Sequence, residues 1–224
     1  VEKQLHRAVK NARTNEKMAM LKVDTLKKIY SHLDDGYPLR SINLDDVEKN
    51  TIKELQFLTS KPVIYIANTN EDGVTGNKYT ESLSQYAQIE GSQVVKICAS
   101  IESEIALLDG NDKHEFLMDI GQTEPGLNRV IRGGYDLLGL QTFFTAGPNE
   151  VRAWTTKINA TAPKAAAEIH TDFERGFIRA EVISYQDFIS KEGEQGAKES
   201  GLLRLEGKEY IVKEGDIMHF RFNV

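Results

Sequence analysis

The 224-residue sequence lacks several features that would assign it to a specialised class of protein. Its longest apolar runs, such as residues 63–67, are far shorter than the roughly 20 residues that a membrane-spanning helix needs. Cys98 is the single cysteine, so no internal disulfide can form, and no Cys/His cluster has the spacing of a metal site. The first residues do not resemble a secretory leader. We therefore expect a cytoplasmic protein that binds no metal through its own residues and contacts no membrane.

A strongly basic balance is also absent. The chain has 28 Lys and Arg against 34 Asp and Glu, a net charge of −6, which excludes a general nucleic-acid coat and makes DNA an unexpected partner. The charge is uneven, however, because residues 1–30 hold eight basic and three acidic side chains, a local charge of +5. Any RNA contact should therefore be local, although a solvated helix face would show the same charges. The candidate contacts in this segment are Lys3, Arg7, Lys10 and Arg13.

The same basic segment has helical periodicity. Apolar residues recur every seven positions from Leu5 to Leu33, which is typical of a coiled-coil stripe. Turn-prone residues at 11–16 favour two antiparallel helices joined near Thr14 and Asn15 at least as much as one rod.

The middle of the chain predicts a β-α-β unit. An amphipathic helix is expected at 45–58, and the continuous apolar run 63–67 predicts a strand buried on both faces, as in parallel sheets. A helix at 79–90 and a second strand at 94–98 complete the unit. Three further helices are expected at 102–108, 113–120 and 126–140.

From residue 141 the pattern becomes one of short strands. Strands are predicted at 142–145, 151–155, 177–184, 210–212 and 217–222, with one helix at 162–169. One helix on a small mixed sheet describes a β-grasp module. Basic residues on or near the helix are candidate RNA contacts, and turn or capping roles are the alternative: Lys157, Lys164, His170, Arg175 and Arg179.

Two polar loops mark a candidate ligand site. In a parallel sheet, ligands bind beyond the carboxyl ends of the strands, and residues 68–71 and 98–100 follow the two predicted strands directly. An Asn amide can donate to and accept from a purine edge, and a small residue lets a backbone N–H approach the ring. Taken alone, either loop could be ordinary turn chemistry. The candidate base-binding residues are Asn68, Thr69, Asn70, Glu71, Ala99 and Ser100.

These two loops resemble the fourth and fifth nucleotide-binding motifs of P-loop NTPases. With residues 57–62, 124–132, 141–147 and 170–178 they are similar to the YchF subfamily, the Obg-like ATPases. The resemblance implies an α/β remnant of the NTPase domain at 45–140, part of a helical coiled-coil insertion at 1–44, and a C-terminal TGS domain of β-grasp fold at 141–224. It also implies hydrolysis of ATP with Mg²⁺ in preference to GTP, and association with ribosomes.

One family motif is missing. The 224 residues contain no Gly-x-x-x-x-Gly-Lys-[Ser/Thr], the loop that cradles the phosphates. We therefore expect no catalytic residue in this chain, and neither ATP hydrolysis nor appreciable ATP binding by the chain alone. The alternative is a non-enzymatic module that binds RNA or protein through the basic helices and the β-grasp sheet.

Overall fold

The computed structural model describes residues 1–12, 17–148 and 150–223. The chain divides into two compact units, residues 1–134 and 135–224. The candidate contact Arg13 and the predicted turn residues Thr14 and Asn15 lie outside the described residues.

The first unit begins with helices α1 (Glu2–Asn11) and α2 (Lys17–Asp34). The two helices are antiparallel. Tyr30, near the end of α2, donates a hydrogen bond from Oη to Oε1 of Glu2, at the start of α1, at 3.2 Å. The interpretation as two helices is therefore confirmed. Leu26 and Ile29 of α2 are fully buried in a core that also holds Leu39 and Leu44.

Helix α3 (Asp46–Ile52) starts with a capping box, in which Asp45 and Glu48 each accept a hydrogen bond from the other's backbone N–H. The predicted helix through residue 58 is wrong, because two short 3₁₀ helices, Lys53–Leu55 and Leu58–Ser60, follow Ile52. The apolar periodicity of the sequence continues past Ile52 because Leu55 and Phe57, although outside the helix, pack against the core that holds Leu26 and Ile29.

The β-α-β prediction is confirmed. Strands β1 (Ile64–Asn68) and β2 (Gln93–Ile97) flank α4 (Lys78–Glu90) and pair in parallel. The expectation that β1 is buried on both faces is wrong, because Ile66 is 46 % exposed. The sheet in the described part of this unit has two strands, β1 and β2.

Three helices follow at nearly the predicted places: α5 (Ala99–Ile105), α6 (Gly110–Asp119) and α7 (Gly126–Leu138). Helix α5 begins three residues earlier than expected, directly after β2. No helix within the described ranges is both long and apolar enough to span a bilayer.

The second unit is a mixed five-stranded sheet with short helices. The strands are β3 (Leu140–Ala146), β4 (Val151–Lys157), β5 (Phe177–Ile183), β6 (Arg204–Glu206) and β7 (Ile217–Phe222), in the order β4-β3-β7-β5-β6. The β3–β7 pair is parallel and the other pairs are antiparallel. The helices are α8 (Ala162–Ile169), α9 (Thr171–Arg175), α10 (Tyr185–Ser190) and α11 (Glu194–Glu199).

Helix α8 packs closely on this sheet because Ala162, Ala165 and Ala166 are fully buried against residues such as Phe143 and Val182. The predicted strand 210–212 is wrong in extent, since only an isolated bridge between Thr161 and Ile211 forms there.

Candidate nucleotide-base site

The ends of β1 and β2 lie side by side, as the sequence predicted. Asn68 stands opposite Ile97 in the register. The next residue, Thr69, donates to the Ile97 carbonyl from its backbone N–H at 2.8 Å and from Oγ1 at 3.2 Å. These bonds carry the pairing one residue past the strand, so the two polar loops leave the sheet at the same edge.

Asn68 connects the two loops directly. Its Oδ1 accepts a hydrogen bond from the backbone N–H of Ala99 at 3.1 Å. Ala99 is the first residue of α5, and the preceding Cys98 provides no side-chain cap, so Asn68 caps the helix from the neighbouring strand. In this structure the Ala99 N–H, which was expected to approach a ring, donates to Asn68. The amide N–H₂ of Asn68 is the donor that a purine acceptor could meet.

The loop after β1 is shaped by two residues that the sequence reasoning did not single out. A Cβ on Gly73 would lie 2.9 Å from each of Asn70 Oδ1, Asn77 Nδ2 and Thr69 Cβ, so the loop packs too tightly for a side chain there. Asn77 caps α4, accepting at Oδ1 from the backbone N–H groups of Tyr79 and Thr80 at 2.9 and 3.0 Å. An Asn directly before an amphipathic helix was the available signal for this cap.

The six candidate residues form an open surface. Thr69 is half-buried and the other five are exposed. Ser100 Oγ lies 3.0 Å from Cys98 Sγ, and that thiol is itself buried. Asn68, Thr69 and Ala99 are thus brought into direct contact with the shared sheet edge, while Asn70 and Glu71 stand on the loop beside it.

Glu102, one turn into α5, fixes the position of that helix. Its carboxylate accepts the backbone N–H groups of Gly126 at 2.8 Å and Leu127 at 3.0 Å, at the start of α7. A Cβ on Gly126 would lie 2.7 Å from Glu102 Oε1, so glycine is needed for this approach. An anionic group accepting two N–H donors at a helix N-terminus is a charge-assisted arrangement.

We expect Glu102→Gln to lower the free energy of unfolding by roughly 1–2 kcal/mol, because the amide keeps one acceptor oxygen and loses the charge. Glu104→Gln is the matched control, since Glu104 is an exposed acid on the same helix and the same change there should cost less than about 0.5 kcal/mol. Chemical denaturation measures both. Equal losses for the two variants would contradict the capping role.

An ion pair between Arg40 and Glu90 is bonded to β1 through Tyr65. Arg40 Nη2 donates to Glu90 Oε2 at 2.9 Å, and Tyr65 Oη donates to the same oxygen at 2.8 Å. The Glu90 side chain is 3 % exposed. Burial alone would raise the pKa of Glu90, but hydrogen bonds from Tyr86, Tyr65 and Arg40 outweigh it and hold that pKa below the usual value. Tyr65 lies three residues before Asn68, so the pair anchors the strand that carries the site.

The candidate RNA contacts differ between the two units. Lys3, Arg7 and Lys10 are exposed on α1, at a spacing that places them on one side of the helix. In the second unit, Lys157 Nζ donates to the Leu138 carbonyl at 3.0 Å, and Lys164 pairs with Glu174 at 2.6 Å.

The remaining contacts of the second unit lie around α9 and on β5. His170 caps α9 by accepting the Asp172 N–H at Nδ1, at 3.2 Å, which supports the capping alternative. Arg175 lies 3.8 Å from an Asp172 oxygen, and Arg179 is exposed on β5.

Over residues 1–12, 17–148 and 150–223, no three His, Cys, Asp or Glu side chains converge in a way that could hold an ion.

Comparison with known proteins places this geometry in context. Residues 140–223 match the family model YchF-GTPase_C, which is described as a protein of unknown function (DUF933). The chain is 57 % identical over 223 residues to the "Ribosome-binding ATPase YchF" of Haemophilus influenzae, covering 100 % of this chain and 61 % of the relative. It is 47 % identical over 227 residues to the protein of the same name from Bacillus subtilis, covering 100 % and 62 %.

A solved structure is also similar to this chain. The YchF GTPase of Schizosaccharomyces pombe superimposes with a TM-score of 0.85 at 29 % identity, covering 98 % of this chain and 61 % of that chain. The chain thus spans about three-fifths of the length of the relatives that it matches.

Proposed function

The chain belongs to the YchF family, and we propose that it supplies the base-recognising part of a cytoplasmic, ATP-hydrolysing protein that binds ribosomes. The relatives' names, ribosome-binding ATPase, support both halves of this proposal. We further propose that residues 1–44 belong to a coiled-coil insertion, 45–140 to the nucleotide-binding domain and 141–224 to a TGS domain.

The observation that carries the proposal is the bond between Asn68 Oδ1 and the Ala99 N–H. It holds two loops together at the carboxyl edge of a parallel strand pair, where α/β sheets bind ligands. The Asn68 amide then donates to a purine acceptor, and the small side chain of Ala99 leaves room for the ring. Asn70 and Ser100 border the same edge.

Adenine and guanine differ in the donors that they offer. Guanine presents N1–H and N2–H₂, which suit an Asp acceptor, whereas adenine presents an acceptor at N1 and a donor at N6. Glu71 is one methylene longer than Asp and stands at the start of a 3₁₀ turn, so it does not simply repeat the guanine contact. This difference supports a preference for ATP.

Phosphate and Mg²⁺ binding are not assigned to this chain. The sequence has no phosphate-binding loop, the motif that supplies the Mg²⁺-binding hydroxyl in P-loop NTPases. We propose that the residues here hold and orient the base, while phosphoryl transfer is performed by parts of the protein outside this chain.

Asn68→Ala in the full-length protein is expected to weaken ATP binding about tenfold, because it removes one donor to the base and the link to α5. Asn43→Ala is the control, an exposed Asn in the same unit away from the sheet edge. Isothermal titration with ATP measures both affinities. An Asn68→Ala protein that is folded and binds ATP like the control would argue against the base assignment.

The second candidate is a non-enzymatic module that binds RNA or protein. The exposed cations on α1 favour it. The gene region that encodes residues before Val1 discriminates between the two: a strand followed by a phosphate-binding loop supports the ATPase, and its absence supports the binding module.

A further inference from the structure

We infer that the groove between α1, α2 and α3 binds a phosphate of an RNA backbone, with Arg7 and Lys22 as its charged contacts. The inference rests on the proposed ribosome association and names the chemistry by which this unit would take part in it.

The groove is a cavity of about 510 Å³ lined by all three helices. Ala8 of α1 and Ala19 of α2, two residues with short side chains, are part of the lining. Arg7 lines the groove from α1 and Lys22 from α2. Two cationic residues on different helices thus border one cavity.

The positive charges of Arg7 and Lys22 have no carboxylate partner among the described residues. Neither Arg7 nor Lys22 forms an ion pair with any residue that the structure describes, whereas the nearby Lys28 and Lys49 pair with Glu48 and Asp46. Among the described residues of the lining, Glu54 is the one carboxylate beside these two cations. An anionic ligand would therefore remove uncompensated positive charge.

The lining favours RNA over an acidic peptide. Gln4 and Asn50 add amide N–H donors, which bind phosphate and sugar oxygens in nucleic-acid complexes. Met18 is the large apolar residue of the lining, so the groove lacks the row of apolar pockets that peptide grooves use. Lys3 and Lys10 lie on the same side of α1 as Arg7, one before it and one after it. They are placed to contact neighbouring phosphates of the same RNA backbone.

The test uses the 224-residue chain and a fluorescent single-stranded RNA oligonucleotide, with anisotropy recorded over a range of salt concentrations. Arg7→Gln/Lys22→Gln should weaken binding about tenfold and reduce the slope of log K against log salt by about 1.4, the value for two lost phosphate contacts. The control Lys27→Gln/Lys61→Gln removes the same charge from exposed lysines outside the groove and should change affinity less than about threefold. Arg7→Lys/Lys22→Arg keeps the charge and should bind nearly as the original does.

Two results would overturn the inference: no RNA binding by the original chain, or equal losses in the groove and control variants. Circular dichroism should show the same helicity in every variant, and loss of RNA binding by the charge-keeping variant with its helicity retained would also overturn the inference. Co-sedimentation of the full-length protein with ribosomes is a separate measurement. If RNA binds in the groove but the protein does not co-sediment, the proposed function fails and the groove assignment stands.

Discussion

Glu90→Gln is expected to lower the free energy of unfolding of the first unit by roughly 3 kcal/mol, because it removes the anion from a buried ion pair. The Glu90 side chain is 3 % exposed and the Arg40 side chain 19 % exposed, so water replaces the lost partner of the guanidinium only in part. The carboxylate also accepts the hydroxyl proton of Tyr65 at 2.8 Å. Glu81→Gln, at an exposed acid on the same helix α4, is the control and should change stability by less than about 0.5 kcal/mol.

The same pair gives a pH dependence with a defined sign. Burial raises the pKa of Glu90, but the hydrogen bonds from Tyr86, Tyr65 and Arg40 lower this pKa by more than burial raises it. The pKa of Glu90 in the folded state is therefore below the ordinary 4.5. The folded state then binds this proton less readily than the unfolded state, and the stability that Glu90 contributes is present above pH 4.5. It is lost as the pH falls through the folded-state value.

Urea denaturation at several pH values measures this dependence. The stability difference between the original protein and Glu90→Gln should shrink as the pH falls below 4.5. A difference that stays constant with pH, or one no larger than that of Glu81→Gln, would contradict the assigned role. Because Tyr65 lies in β1, Glu90→Gln should also weaken ATP binding in the full-length protein.

Asp216→Ala is expected to destabilise the second unit by roughly 3 kcal/mol, since it leaves the Tyr210 hydroxyl and the Lys213 N–H, both partly buried, without their acceptor. Asp216 is 2 % exposed. Its Oδ2 accepts from Tyr210 Oη at 2.7 Å and from the Lys213 N–H at 2.9 Å, and Arg204 lies 3.6 Å from Oδ1. Glu209→Ala changes an exposed acid beside Tyr210 and should be nearly neutral. Similar denaturation midpoints for the two variants would show that the buried carboxylate is dispensable.

Tyr210 adds a test at alkaline pH. Burial, together with the hydrogen bond to Asp216, raises the pKa of Tyr210 from 10.0 to about 12. The folded state therefore retains a proton that the unfolded state releases, so stability falls as the pH rises between these two values. Tyr210→Phe should show a shallower fall over that range. Equal slopes for the two proteins would contradict the perturbed tyrosine.

The arrangement of the candidate site was predictable where the signal was local. The apolar run at 63–67 and the mostly apolar segment 94–98 predicted two strands, and the polar residues after each were expected at one sheet edge. The contacts that stabilise this arrangement are long-range and had no local signal. Asn68 and Ala99 are 31 positions apart, and Arg40 and Glu90 are 50 apart.

Two other differences between the predicted and the observed fold have separate causes. Burial of β1 depends on which elements pack against each of its faces, which its own residues do not encode, and Ile66 is exposed despite its apolar flanks. Helices α9, α10 and α11 and strand β6 were missed because each has six residues or fewer. Such segments are too short for apolar periodicity to distinguish them from loops.

The central claim is that this chain contacts the adenine base, and photolabelling tests it most directly. The full-length protein is irradiated with 8-azido-ATP and digested with trypsin, and the labelled peptides are identified by mass spectrometry. Label is expected in residues 54–78 and 97–113, the tryptic peptides that contain the two loops, with stronger protection by excess ATP than by excess GTP. Label confined to other peptides, or equal protection by the two nucleotides, would contradict the account.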